Sequence, residues 1–243
     1  MTKEQEILNL VKEVNPENPI EYVCSIVRPM ARQKMDCLMS KCQDCPACKN
    51  HPVRSVSYGD DRASVLIINE GIYESQLEDE KDTVYPLQGT PEMELIDTLI
   101  DACHINRKQL FWMNAVNCFT CTHVNGKNIE RAPNSHEAEY CRGYIEDAIQ
   151  IIHPVLIILL GNIPLNLFHR GKSIKEMHGK FINIDGVQAM PLYSPHSLVA
   201  MQNSDTLEDL IAEYETEFCE DFRKAFKYVQ DNFEGNVVLE PLD

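Results

Sequence analysis

Three short apolar runs constrain this chain more than any other feature in it. They are Ala63–Gly71 (ASVLIINEG), Gln109–Cys118 (QLFWMNAVNC) and Pro154–Gly161 (PVLIILLG), and each stops abruptly at Asn, Glu, Cys or Gly. A strand with one wet face alternates apolar and polar residues. An unbroken apolar run instead suits a parallel strand covered by helices on both faces. Amphipathic helices are expected between the runs. Thr90–His104 (TPEMELIDTLIDACH) has Thr90 at the N-cap and Pro91 at the first helical position, and Ser135–His153 (SHEAEYCRGYIEDAIQIIH) opens on a capping Ser135. A hairpin over Lys180–Ser194 (KFINIDGVQAMPLYS), turning at Asp185–Gly186, supplies a fourth long strand. The alternation predicts an α/β protein, a three-layer α/β/α sandwich around a mostly parallel four-stranded sheet, with helical extensions at both ends.

Ligands of such sheets bind beyond the carboxyl ends of the strands. Those ends carry Asn69-Glu70-Gly71, Asn114 through Cys118, Gly161-Asn162 and Ser194-Pro195-His196. Each has an ordinary explanation when taken alone. Glu70 would cap a helix, Asn114 would satisfy a turn, and His196 would be a plain loop histidine. A carboxylate, an amide and a hydroxyl/imidazole loop at one edge together predict a site.

The domain reading has three parts. Residues 1–40 form a helical extension, with apolar Ile7, Leu8, Leu10 and Val11 before an NPENP break and Val23, Ile26, Val27 and Met30 after it. Residues 41–203 form the main domain, in which the stretch before Ser135 reads as a Gly/Asn loop. Residues 204–243 form an acidic helix, over about 205–232, and a tail. At 243 residues the chain can bury one substantial core. Its longest apolar run, Val155–Leu160, is far too short to cross a bilayer, and MTKEQEILNLVKE has no signal-peptide core. A monomer without membrane attachment is expected in the cytoplasm, or in the host cytoplasm if the protein is virus-encoded.

Asp and Glu outnumber Lys and Arg by 38 to 22, a net charge of −16. That balance argues against nucleic-acid binding by bulk charge, but the excess concentrates at 74–82 and 204–221, so local charge governs. Ten cysteines in a reducing compartment point to metal or redox chemistry. Cys42, Cys45 and Cys48 lie in CQDCPAC, Cys118 and Cys121 in CFTC, and Cys141 in HEAEYC; Cys24, Cys37, Cys103 and Cys219 stand apart as buried thiols. Two C-x-x-C pairs and a nearby cysteine predict a four-thiolate site, which suits zinc or an iron–sulfur cluster alike.

The order CQDCP, INEG, YPLQG, MNAVNC, RAPNSHEAEYC, HPVLIILLG, SIKEMHGKF, PLYSPHSLV resembles the iron–sulfur (family 4) uracil-DNA glycosylases, over about residues 40–200. The resemblance implies a [4Fe–4S] cluster of structural role on Cys42, Cys45, Cys118 and Cys141, with zinc as the runner-up. Cys48 and Cys121 leave open a register in which CPAC or CFTC supplies other ligands. The resemblance also makes Glu70 the carboxylate that acts on water or on the sugar cation, and Asn114 the amide that reads the edge of a flipped uracil. Gly71, Leu87 and Tyr85 complete the implied base-binding set.

The departures from the family pattern are specific. The family's Gly-Glu-x-Pro-Gly reads NEGIY here, and the stacking Phe is replaced by Leu87, with Tyr85 as the substitute aromatic. Arg-Gly reads His178-Gly179, and His-Pro-Ala/Ser reads SPHS. Ser194 is therefore expected in the histidine's place as a weaker donor. His196 would recover that role only through a different loop conformation, which Pro195 resists. The catalytic candidates are Glu70, Ser194 and His196. The expected activity is hydrolysis of the N-glycosidic bond of uracil or a related base in DNA. The alternatives are a glycosylase fold kept as a DNA- or protein-binding module in replication or repair, and an unrelated metal-binding α/β protein. DNA containing uracil or a modified base is the expected partner, and the acidic C-terminal helix offers either a protein-binding surface or an ordinary solvated face.

Overall fold

The computed structural model describes residues 19–77, 82–202 and 208–232, together with residues 5 and 9. In chain order the elements begin with α1 (Pro19–Ser40), α2 (Pro46–Asn50), β1 (Arg54–Ser55), β2 (Tyr58–Gly59), β3 (Val65–Asn69) and β4 (Thr83–Val84). There follow α3 (Pro91–Ala102), β5 (Leu110–Asn114), β6 (Cys121–Val124), β7 (Lys127–Glu130), α4 (Ser135–Ile152) and β8 (Leu156–Leu160). The last are α5 (Asn162–Phe168), α6 (Ile174–Met177), β9 (Ile182–Ile184), β10 (Val187–Leu192), α7 (Pro195–Gln202) and α8 (Glu208–Asn232). The expected apolar residues Ile7, Leu8, Leu10 and Val11, residues 15–18 of the NPENP break, residues 78–81 of the acidic loop and the tail past 232 lie outside the described residues, and Pro19 opens α1.

The central sheet runs β2-β5-β3-β8-β10-β9. Its middle four strands are parallel, and these are the four expected from the three apolar runs and the second arm of the hairpin. Short antiparallel β2 and β9 extend the edges to six strands. The side chains of the parallel strands divide cleanly by parity. Val65, Ile67, Leu110, Trp112, Leu156, Ile158 and Leu160 enter one core, with Ile96, Leu99 and Ile100 of α3 and Phe218, Phe222 and Phe226 of α8. Leu66, Ile68, Phe111, Met113, Ile157 and Leu159 enter the other, with Ala138, Ile145, Ala148 and Ile152 of α4 and Met35 and Met39 of α1. Both faces are apolar because both are covered, which is why the runs do not alternate.

Several local expectations are revised. α4 is capped by Asn134, not Ser135: Asn134 Oδ1 accepts from Glu137 N at 3.0 Å, and Glu137 Oε2 accepts from Asn134 N at 3.0 Å. The Gly/Asn loop is a hairpin, β6–β7, turning at Asn125 (φ 50°) and Gly126 (φ 79°). The SPHS loop is a direct strand-to-helix junction, with Pro195 opening α7. On α1, the helix expected here, Ile26, Val27 and Met30 are exposed. That helix is instead tied to the β2 edge by Arg32, which donates to Gly59 O (2.7 Å) and Asp61 Oδ1 (3.0 Å), and by Asp36, which accepts from Ser57. The acidic helix α8 docks on the sheet through its phenylalanine face. No helix among the described residues is long and apolar enough to cross a membrane.

Candidate active site

The parallel register sets Asn69 beside Asn114 at the carboxyl end of β3 and β5. One residue further, the partly buried carboxylate of Glu70 turns across the sheet onto the start of α5. Its Oε1 accepts from Ile163 N at 3.3 Å, and its Oε2 accepts from the Ser194 hydroxyl at 3.0 Å. Gly161 makes this approach feasible. Its φ is +94°, and a Cβ there would stand 2.5 Å from the carboxyl group of Glu70. Glu70 thus does cap a helix, as the ordinary explanation holds, but a helix 90-odd residues later at the same sheet edge. Burial pushes its carboxyl above the usual range, opposed by the Ser194 hydroxyl, the α5 amides and the charge of His196.

Asn69 and Asn114 are both fully buried. Asn69 Nδ2 donates to Asn114 Oδ1 (3.2 Å) and to Gly71 O (3.0 Å). Nδ2 of Asn114 has no hydrogen-bond partner among the described residues. A buried, unpaired amide donor is costly in a folded protein and marks a group held ready for something else. Tyr73, invisible as a site residue in the sequence, closes this corner: its hydroxyl donates to Asn69 Oδ1 at 3.2 Å. Its ring stacks on His196, with centres 4.5 Å apart and planes 14° apart.

The structure places the remaining candidates as follows. Ser194 and His196 both reach the site, but their partners differ. The Ser194 proton is taken by Glu70, whereas His196 lies 2.8 Å from buried Glu92 on α3. Gly71 packs against Pro133, where a Cβ would meet the ring at 2.9 Å. Leu87, at φ 59°, is buried in the core cluster that also holds Tyr73. Tyr85 is exposed, and its ring sits 5.4 Å from that of Tyr58 on the β2 edge, away from the Asn69–Asn114 pair. Gln76 links its segment back, donating to Tyr85 O at 2.8 Å while accepting from Tyr73 N.

The cysteines gather beside this edge, because Cys118 follows β5 directly. Cys45, Cys48 and Cys118 share one buried cluster, and Cys141 lies near enough for its charge to interact with those of Cys42, Cys45 and Cys118. Cys121 belongs instead to a separate cluster with Phe119 and Ile72. Burial raises the Cys118 thiol strongly and pushes the Cys141 thiol up to about 12. The backbone and side-chain amides of Asn117 oppose the shift at Cys141. Arg54 is buried among these loops and donates to the carbonyls of Cys48 (2.8 Å), His51 (2.6 Å) and Cys42 (3.2 Å). Its charge favours the ionised form of the Cys118 thiol. Amide donors and a buried cation around reduced cysteines fit an anionic thiolate-held centre. Among the described residues, no three His, Cys, Asp or Glu side chains converge closely enough to hold a single metal ion.

A parallel α/β sandwich with a carboxylate and paired amides at its carboxyl edge defines an α/β protein with a built polar site at the strand ends. The model of the uracil DNA glycosylase superfamily matches residues 56–229, and the chain belongs to that superfamily. A type-4 uracil-DNA glycosylase of Thermotoga maritima is 27% identical over 179 residues, covering 71% of this chain and 87% of that relative.

Proposed function

We propose that the protein hydrolyses the N-glycosidic bond of uracil, or of a closely related base, in DNA. The observation that carries this reading is the Nδ2 of Asn114, unpartnered among the described residues, at the same sheet edge as a carboxylate that is fixed by a helix start and a hydroxyl. A base flipped out of the stack would offer O4 to that donor. As the bond to C1′ breaks, positive charge on the sugar would be stabilised by Glu70, which also orients the attacking water. Cys42, Cys45, Cys118 and Cys141 would hold the [4Fe–4S] centre that the family resemblance implies, as a staple for the loops around Asn117. Such a centre supplies structural stability when bound. Release of uracil from single-stranded and duplex oligonucleotides, compared between wild type and Glu70→Ala, tests the activity.

The binding-module reading has one observation in its favour. Ser194 stands where the family has histidine, and its proton is already engaged. Tight binding of uracil-containing DNA with no base release would support it.

A further inference from the structure

Glu92 is an unusual residue for its position. It lies in the first turn of α3, yet only 4% of it is exposed. Its own amide and the Thr90 hydroxyl stabilise the carboxylate at the helix start, where Thr90 also accepts from Met93 N at 3.2 Å, but these local contacts do not account for its reach across the fold. A buried carboxylate requires a partner, and Glu92 Oε1 has one 104 positions away, Nδ1 of His196 at 2.8 Å. Burial alone would raise the Glu92 carboxyl, but the hydrogen bond from His196, aided by its own amide and the Thr90 hydroxyl, holds it below the usual range. An ionised carboxylate only accepts, so Nδ1 carries the hydrogen. The groups facing the ring are Glu92 from α3, Glu70 from the end of β3, Glu130 from β7 and Tyr73 beneath it. Together the carboxylates raise the imidazole above its ordinary value, the Glu92 hydrogen bond foremost.

Building on the glycosylase reading above, we propose that Glu92 is a positioning residue for the reaction. It holds His196 by Nδ1, flat against Tyr73, so that Nε2–H is the donor offered to the departing base. The bond between C1′ and the base breaks with both electrons going to the base, whose developing negative charge accepts from Nε2–H. Water adds to C1′ and gives its proton to Glu70, and the released base is later protonated by solvent. His196 keeps its own proton throughout. The imidazole missing at position 194 is thus restored two residues later through a carboxylate on another helix.

The test compares wild type with Glu92→Gln, Glu92→Asp, His196→Gln and the Glu92→Gln/His196→Gln double variant. The readouts are imidazole titration of His196 by NMR, the pH dependence of single-turnover uracil release, and oligonucleotide affinity. Glu92→Gln is expected to lower the His196 midpoint by about one pH unit and to move the alkaline limb of the rate profile down with it. Release above neutrality should fall about tenfold or more, with affinity little changed. Glu92→Asp should recover part of the loss, and the double variant should be no slower than His196→Gln alone. An unmoved midpoint, or a moved midpoint with an unmoved rate profile, overturns the proposal and leaves the glycosylase reading standing. If Glu92→Gln does not fold, His196→Gln decides, because it alters the half-exposed member of the pair; full activity there overturns the proposal. A wild type that binds uracil-containing DNA but never releases base overturns the glycosylase reading itself, and the proposal with it.

Discussion

Glu70 shows how far a single residue's environment can be traced to physical causes. Its folded pKa lies above its unfolded one, so the folded chain binds the proton more tightly. Its negative charge therefore costs stability as pH rises from the ordinary carboxylate range through the raised folded value, and the cost is complete above it. Glu70→Gln should abolish uracil release while melting higher than wild type near neutrality. That gain should vanish in acid, below the unfolded pKa, as thermal melts across pH will show. Asn114→Asp replaces a free donor by a carboxylate in a buried place. Release should fall by about 10²-fold or more, the ~2–4 kcal/mol of a lost oriented contact, measured under single-turnover conditions. The candidates at strand ends could be read in the sequence, because unbroken runs show where strands stop. Tyr73 and Glu92 could not, since their meaning comes from a stack and a hydrogen bond to His196, more than a hundred positions away.

The helices and hairpins explain why certain motif residues occur together. Arg131 donates to both oxygens of Glu137, which also closes the cap of α4, and Cys141 follows one turn later. The Arg-x-Pro…Glu…Cys pattern is therefore a device for fixing the start of a helix that presents a thiol. Cys141→Ala should lower iron content and thermal stability together, whereas Cys121→Ala, in its separate cluster, should leave iron content unchanged; elemental analysis of anaerobically prepared protein decides. The segment after α5 carries exposed Arg170, Lys172, Lys175 and Lys180, and Ile174 N in it donates to Asn162 at the start of α5. Lys172→Ala and Lys175→Ala should weaken DNA binding and reduce the salt slope by about one each, in titrations over several salt concentrations. The long parallel strands were legible because they are buried on both faces. The β6–β7 hairpin was not, because residues 122–129 are exposed and give no alternating pattern around Asn125-Gly126.

Across the whole molecule, the net charge of −16 does not describe the surface that would meet DNA. The acidic helix α8 lies on the sheet, with Phe218, Phe222 and Phe226 inward, and Glu215, Glu217 and Asp221 are engaged by Gln202, Tyr193 and His178. Asp221 meets His178 at 2.6 Å, packed so closely that a Cβ on Gly179 (φ 65°) would strike the carboxylate. The sequence left open whether this helix docks or binds elsewhere, because an amphipathic pattern does not name the surface it covers. Phe222→Ala should cost about 3–5 kcal/mol in denaturant unfolding. The place of α8 in chain order has a consequence for biosynthesis. Emerging from the ribosome N-terminus first, the chain would deliver all four parallel strands before the helix that packs on β8 and β10. For that interval one sheet face is covered by α3 but open over β8 and β10, so nascent or interrupted chains should be stronger clients of chaperones than the finished protein.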